Sequence, residues 1–306
     1  MGNPSAREVG EWYDRFGGLY GLTMGDSMHL GMWTDGVRAE TGELTADEMW
    51  EELTRAQDSW TGTLIDVVGL LPGQRMLDVG CGTGRPTVRI GTESGASVLG
   101  VTVSAGQVRA GRDRALKAGV SDRVTFEQAD AMALPQESET FDAAWAIESF
   151  AHFSNRPAAI REVRRVLRSG GRFVLADCYE AVPFTPEEVQ LFQAAFALSR
   201  LPAGPEDYSR MLGEAGFAIQ GTRDMSREFK PTYELIPRLF AARRAQIAEL
   251  VGTDAMAQLD TVYPRILALC RDKMGYTMVN AVKSPDGPLT AASPVPTPGF
   301  PSPPGQ

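Results

Sequence analysis

Histidine and cysteine are scarce: 306 residues hold only His29 and His152, and Cys81, Cys178 and Cys270. No two cysteines form a Cys-x-x-Cys pair, and their wide separation argues against a zinc site or a disulfide framework and for a reducing compartment. Two histidines are too few for a His-rich metal centre. Turnover is therefore expected to need no divalent metal, and full activity in EDTA is the check. Also lacking is any run near the ~20 apolar residues that cross a bilayer, and Met1 to Gly10 shows no apolar leader. Clusters of Lys and Arg are missing from a chain of net charge −9 and pI 4.9, which excludes a grip on phosphate backbones. The expectation is a cytoplasmic protein with a small-molecule partner, no nucleic acid and no membrane, with homodimer formation left open.

What is present is a repeated strand, glycine turn and helix. Apolar strands are expected at Arg75 to Val79, Ser97 to Val101, Val124 to Gln128, Phe141 to Ile147 and Arg172 to Asp177. Helices fall between them from Pro86, over Ala105 to Ala118, and over Ile160 to Arg168 before Gly170-Gly171. That alternation implies parallel pairing through right-handed crossovers, hence an α/β fold with a doubly wound, mostly parallel sheet.

Thr45 and Glu48 have capping-box spacing and start a helix expected to reach about Val68. Before it, residues 1–44 are rich in glycine and aromatics and predict only a short helix near Ala6 to Phe16. After Asp177, Thr185-Pro186-Glu187-Glu188 opens another helix, with Val189, Phe192 and Phe196 on one face. Further helices are expected over Tyr208 to Ala215, Tyr233 to Leu250 and Asp254 to Arg271, and strands near Phe217 to Thr222 and Tyr276 to Val282. The implied organisation is a lid over 1–44, a core over 45–283 with cap helices at about 183–216 and 227–273, and a Pro-rich disordered tail over 284–306.

The strongest local signal is Met76-Leu77-Asp78-Val79-Gly80-Cys81-Gly82-Thr83-Gly84, at the end of the first core strand. Glycines there let the backbone turn sharply and lie against a flat ligand, at the sheet edge where α/β folds bind ligands. A dinucleotide fingerprint needs G-x-G-x-x-G and an acid about 20 residues on. The chain instead has G-x-G-x-G and Thr102, against a nicotinamide cofactor.

This glycine motif resembles the first motif of class I S-adenosylmethionine methyltransferases. Four later segments resemble that family in order and spacing: Gly100 to Gln107, Gln128 to Pro135, Phe141 to Ser149 and Val166 to Gly171. The likeness spans roughly residues 8 to 283 and is to the sterol, tocopherol and sugar O-methyltransferase branch. Within it, the chain resembles actinomycete natural-product methyltransferases such as the rebeccamycin sugar O-methyltransferase. The resemblance implies a Rossmann-like seven-stranded sheet, S-adenosylmethionine as cofactor with S-adenosylhomocysteine as product, and a small natural product as acceptor. It places Asp78, Gly80, Gly82 and Gly84 against the methionine and ribose portions, and Asp130, Ala131 and Met132 at the adenine. Thr102 replaces the family's ribose-binding acid, which leaves that contact to Ser104 and Gln107. Trp145, Tyr13 and Trp33 complete the implied cofactor set, the last two from a lid carrying His29-Leu30-Gly31-Met32-Trp33.

Methyl transfer needs orientation, and a base only when the nucleophile must lose a proton. Glu148, His152 and Asp177 follow the fourth and fifth strands, so they face the same crevice and are the candidate bases or orienters. The sugar O-methyltransferase has two adjacent histidines where this chain has Ala151 and His152. Oxygen and nitrogen therefore both stay open as the methylated atom, with C-methylation of a prenyl or phenolic acceptor as the alternative and a catalytically silent cofactor-binding scaffold as the non-enzyme one. Apolar residues of the cap (Phe184, Phe192, Phe196, Leu239, Phe240) predict a largely hydrophobic acceptor.

Overall fold

The computed structural model describes residues 3–34 and 44–285. The end of the lid segment and nearly all of the Pro-rich tail lie outside the described residues.

Helix α1 runs Ala6–Met24 and starts with a capping box between Ser5 and Glu8. It is longer than the sequence predicts, and of its glycines, which cost about 1 kcal/mol each in an isolated helix, two are sites of close packing while Gly17 and Gly21 face open space. A Cβ on Gly10 would stand 2.6 Å from the Val103 carbonyl oxygen, and one on Gly18 would stand 3.2 Å from Leu250. Helix α2, Ala46–Val68, starts at the expected Thr45–Glu48 box and ends at Gly69, whose left-handed φ of 56° lets its amide bond the Ile65 carbonyl.

Seven strands follow: β1 Arg75–Val79, β2 Ser97–Thr102, β3 Val124–Gln128, β4 Phe141–Ile147, β5 Leu167–Glu180, β6 Phe217–Asp224 and β7 Met274–Lys283. They form one sheet in the order β3-β2-β1-β4-β5-β7-β6, with β7 antiparallel to both neighbours and the other pairs parallel. Helices α3 Arg85–Ser94, α4 Ala105–Lys117 and α5 Arg156–Val166 make the crossovers, as a doubly wound sheet requires. Both faces are covered, which makes the central strands apolar throughout. On β4, Ala143 and Trp145 face α2 and α4, while Ala144 and Ala146 face α5.

Beyond β5 lie α6 Pro186–Phe196, α7 Pro205–Glu214, α8 Ser226–Ala242, α9 Arg244–Val251 and α10 Thr253–Lys273. Two expectations need correction. Helix α7 is not a cap element: Tyr208 and Leu212 bury its apolar face against the sheet beside β6. The single helix predicted over Tyr233 to Leu250 is two, parted at Arg243, and the first begins earlier, at Ser226, despite Pro231 and Pro237 inside it. No helix of the described residues is long and apolar enough to cross a membrane.

Candidate active site

At the carboxyl edge of the sheet the glycine loop turns back beneath α1. The Gly80 and Cys81 amides both donate to the Val101 carbonyl of β2, at 2.8 and 3.0 Å, which fixes the loop against the sheet. Its three glycines have φ of 77°, 54° and 78°, in the left-handed region that glycine tolerates, yet they do different work. A Cβ on Gly80 would stand 2.3 Å from Ser149 Cβ, and one on Gly84 would stand 2.5 Å from Phe126, so these positions hold strand to loop and helix to strand. A Cβ on Gly82 would meet only Met28 Sδ, at 3.9 Å, because it points into open space.

That space is a cavity of about 750 Å³, counting its open mouth, within the size range of ligand sites. Gly80, Gly82 and the Asp78 side chain line one wall, Thr102 and Gln107 a second, Ala129 and Ala131 a third, and Tyr13 with Ser27 to His29 the roof. Asp78 is buried, accepts a hydrogen bond from Thr87 at 2.6 Å, and is pushed up to about 6 by burial. Gln107 Oε1 accepts from Thr102 at 2.6 Å, which leaves its amide nitrogen with no partner among the described residues and available to a ligand hydroxyl.

The other residues assigned to the cofactor from sequence lie off this wall. Ser104 caps α4, its hydroxyl accepting from the Gln107 amide and donating to Asp14 of α1. Asp130 Oδ1 turns back to accept from the Met132 amide at 2.8 Å, and neither side chain lines the cavity. Trp145 is fully buried behind β1, beside Asp78, because its place in the strand alternation points it at α2. Trp33 sits between α2 and α8 and donates to Thr232 Oγ1 at 2.8 Å.

A second cavity of about 710 Å³ adjoins the first, with Tyr13, Met28, Glu148 and His152 forming the boundary. Its far walls are Phe192 and Phe196 of α6, Tyr233 and Ile236 of α8, and Tyr263, Leu267 and Cys270 of α10. Apart from Glu148, His152 and Asp177 on the near side and a few phenols and thiols, the walls are apolar.

His152 closes a 3-10 turn, Phe150–His152, after β4. Asp177 at the end of β5 pins that turn by accepting from the Phe150 and Ala151 amides, at 2.7 and 3.2 Å. Burial raises Asp177 to about 6, and its amide partners oppose the shift. The imidazole Nδ1 lies 3.2 Å from the Ala197 carbonyl at the end of α6. A carbonyl only accepts, so the proton sits on Nδ1, and Nε2 offers its lone pair to the Tyr13 hydroxyl 2.8 Å away. Burial lowers His152 to about 4, against the pull of that carbonyl, so the ring is neutral at ordinary pH. Glu148 occupies a left-handed φ of 51°, a conformation costly for a residue with a Cβ. One carboxyl oxygen accepts from the Leu30 amide at 2.8 Å, and burial, with Asp177 nearby, pushes the group up to about 8. The Tyr13–His152 contact joins α1 to the turn after β4 across a long sequence separation, and no local pattern signals it.

The lining fits S-adenosylmethionine. A glycine without obstruction leaves room for a flat group, a free amide can meet a ribose, and buried acids flank the place for a cation. Among the described residues no group of His, Cys, Asp and Glu could hold a metal ion.

Comparison with known proteins agrees. Residues 77–175 match the family described as "Methyltransferase domain". The chain is 34% identical to the 27-O-demethylrifamycin SV methyltransferase of Amycolatopsis mediterranei, over 92% of this chain and 99% of that one. It is 30% identical to the (+)-O-methylkolavelool synthase of Herpetosiphon aurantiacus, covering 92% and 95%. Among solved structures it resembles the [4+2]-cyclase SpnF, with a TM-score of 0.77, 30% identity and coverage of 93% and 98%.

Proposed function

The chain belongs to the class I S-adenosylmethionine-dependent methyltransferases, and from that membership we propose that it methylates an oxygen of an apolar natural product, with His152 as base. The carrying observation is that a neutral, half-buried imidazole, its Nε2 lone pair held only by the exchangeable Tyr13 hydroxyl, stands where the two cavities meet. The relatives support oxygen as the atom, since the rifamycin enzyme is named for an O-demethyl substrate and the kolavelool enzyme for an O-methyl product.

S-Adenosylmethionine, bound in the first cavity, supplies a methyl group already activated on a positively charged sulfur. The protein's part is orientation and proton removal. In this reading Gly82, Thr102, Gln107, Ala131 and Tyr13 bind the cofactor, with Asp78 and Gly80 beneath it. Ser104, Asp130, Met132, Gly84, Trp145 and Trp33 support those residues and make no contact with it. The N-terminal segment is the lid, and α6 with α8 to α10 walls the acceptor. An acceptor hydroxyl takes the place of the Tyr13 hydroxyl at His152 Nε2 and loses its proton to that nitrogen as the new C–O bond forms. The positive charge lost at sulfur reappears on the imidazolium, so the buried site keeps its net charge. Asp177 is a positioning residue, holding the turn that presents the ring.

Glu148 acts in its protonated form, because an ionised carboxylate there would stabilise the positive charge of the ground state that the transition state is losing. The pH dependence follows. kcat/KM should stay level below pH 6.5, where an exposed histidine protonates, and fall only toward about 4, the value to which burial lowers His152. It should fall again above about 8 as Glu148 ionises. Glu148→Gln, which cannot ionise, should keep activity near neutrality within about tenfold and lose the alkaline limb. An alkaline limb unchanged in that variant removes Glu148 from the account.

Similarity to a cyclase favours one second reading, a cofactor-binding scaffold that transfers no methyl group. The test for both is a panel of hydroxylated polyketides and terpenoids incubated with S-adenosylmethionine. A mass gain of one methylene on any of them supports the transferase. Tight cofactor binding with no turnover across the panel supports the scaffold.

A further inference from the structure

The second cavity has another exit. On the side away from the cofactor it meets an outer pocket of about 790 Å³, and the two share Tyr233 of α8 and Met274 at the start of β7. Tyr233 is half-buried and reaches in until its hydroxyl lies beside the Cys178 thiol, so its ring separates the two spaces. The helix is weak at this point. Pro237 has no amide to give the Tyr233 carbonyl one turn earlier, and a proline inside a helix costs it that bond. A ring on a loosened turn can swing aside with little loss of helix.

The outer pocket also differs from the rest of the molecule in charge. Arg227, Lys230 and Arg271 line it against Asp272 alone, on a chain whose net charge is −9. Arg271 pairs with Asp272 at 2.7 and 2.9 Å. Arg227 and Lys230 are exposed and make no ion pair among the described residues. The largely apolar chamber thus reaches from His152 to Tyr233, and on the far side of that ring stand two cations without an ion pair among the described residues.

We propose that the acceptor is elongated and carries a carboxylate at the end remote from the methylated oxygen, and that this end passes Tyr233 to meet Arg227 and Lys230. The inference rests on the second cavity being the acceptor site. An acid at the far end satisfies the cations, and the apolar middle fills the chamber between α6, α8 and α10. The nucleophilic oxygen is then held at a fixed distance from the port. Length, together with charge, becomes the basis of selection, and Tyr233 sets the width of the passage.

The probes are a long-chain saturated fatty acid and its methyl ester, which share the apolar body and differ in charge at one end. Each is titrated by calorimetry into the full chain loaded with S-adenosylhomocysteine, at a pH where the acid is ionised. Two exposed cations, weakened by solvent as surface charges are, should make the acid bind roughly five- to tenfold tighter than the ester. Arg227→Glu/Lys230→Glu should abolish or reverse that preference while leaving ester affinity unchanged. Tyr233→Trp, which widens the barrier, should weaken acid binding and spare a short fatty acid that never reaches the port. Equal affinity of acid and ester for the natural protein, or an acid preference that survives in the double variant, overturns the proposal. So does failure of both probes to bind a protein that still binds S-adenosylhomocysteine. Loss of S-adenosylhomocysteine binding itself would instead strike the cofactor assignment, and the same titration reads it separately.

Discussion

Replacing His152 with alanine is expected to lower kcat by about 10²–10⁴-fold, the usual yield of a positioned general base, while S-adenosylhomocysteine affinity stays within about twofold. The size of the effect follows from isolation. The second histidine does not reach the boundary of the two cavities: His29 lines the roof of the first, with its ring nitrogens bonded to the Leu30 carbonyl and the Thr61 hydroxyl. Asp177 cannot substitute, because one oxygen already holds the amides of the Phe150–His152 turn and the other the Cys178 amide. Glu148 carries its proton up to about pH 8. An alanine enzyme must therefore wait for solvent to remove the proton. His152→Gln separates the roles: it can accept through its side-chain oxygen but cannot carry the proton away, so its kcat should stay near that of alanine. Steady-state rates with a true acceptor, beside calorimetry for S-adenosylhomocysteine, check both. A loss below tenfold would mean that the nucleophile attacks without losing a proton, as a neutral amine does, and would move the methylated atom from oxygen to nitrogen.

Gly82→Val should reduce S-adenosylmethionine affinity by at least about 100-fold in a protein that still folds. A β-branched side chain at a φ of 54° costs on the order of 1–2 kcal/mol, a tolerable part of a typical domain's ~5–15 kcal/mol. No described protein atom lies nearer than 3.9 Å to the new Cβ, so its methyls extend into the cavity and not into the fold. The neighbouring glycines cannot serve as this test, because a side chain at Gly80 or Gly84 would collide with Ser149 or Phe126 and unsettle the sheet itself. Thermal unfolding by circular dichroism verifies the fold, and calorimetry reads the affinity. A folded Gly82→Val protein with unchanged affinity would place the cofactor elsewhere.

Local grammar made much of the fold legible. The Thr45–Glu48 and Thr185–Glu188 boxes mark real helix starts, and the strand and glycine rhythm from Arg75 to Asp177 gives the parallel half of the sheet. The short helix expected near Ala6 to Phe16 is the first part of α1, and Gly17, Gly18 and Gly21 hid the rest, since helix propensity carries no record of the surface a helix packs against. The cavity walls were harder to read. Strand period alone puts Trp145 on one of two buried faces, and nothing in its sequence says which face bears the cofactor. Ser104 and Gln107 have capping-box spacing, which marks Ser104 as a cap but would turn the Gln107 side chain back to the Ser104 amide, whereas it accepts from Thr102 instead. Asp130 is followed two residues on by the amide it binds, as an Asx turn predicts. The Tyr13–His152 pair and the division of the crevice into two cavities come from packing between elements far apart in the chain. They are visible only in three dimensions.

The most direct test of the account follows an isotopically labelled methyl group from S-adenosylmethionine into product. The natural protein is incubated with an apolar hydroxylated acceptor drawn from the panel, and the product's methyl carbon is read by NMR. The account predicts a single labelled O-methyl group, formed at a rate that collapses in His152→Ala. A label found on carbon, or an O-methyl product formed as fast by His152→Ala as by the natural protein, would contradict it.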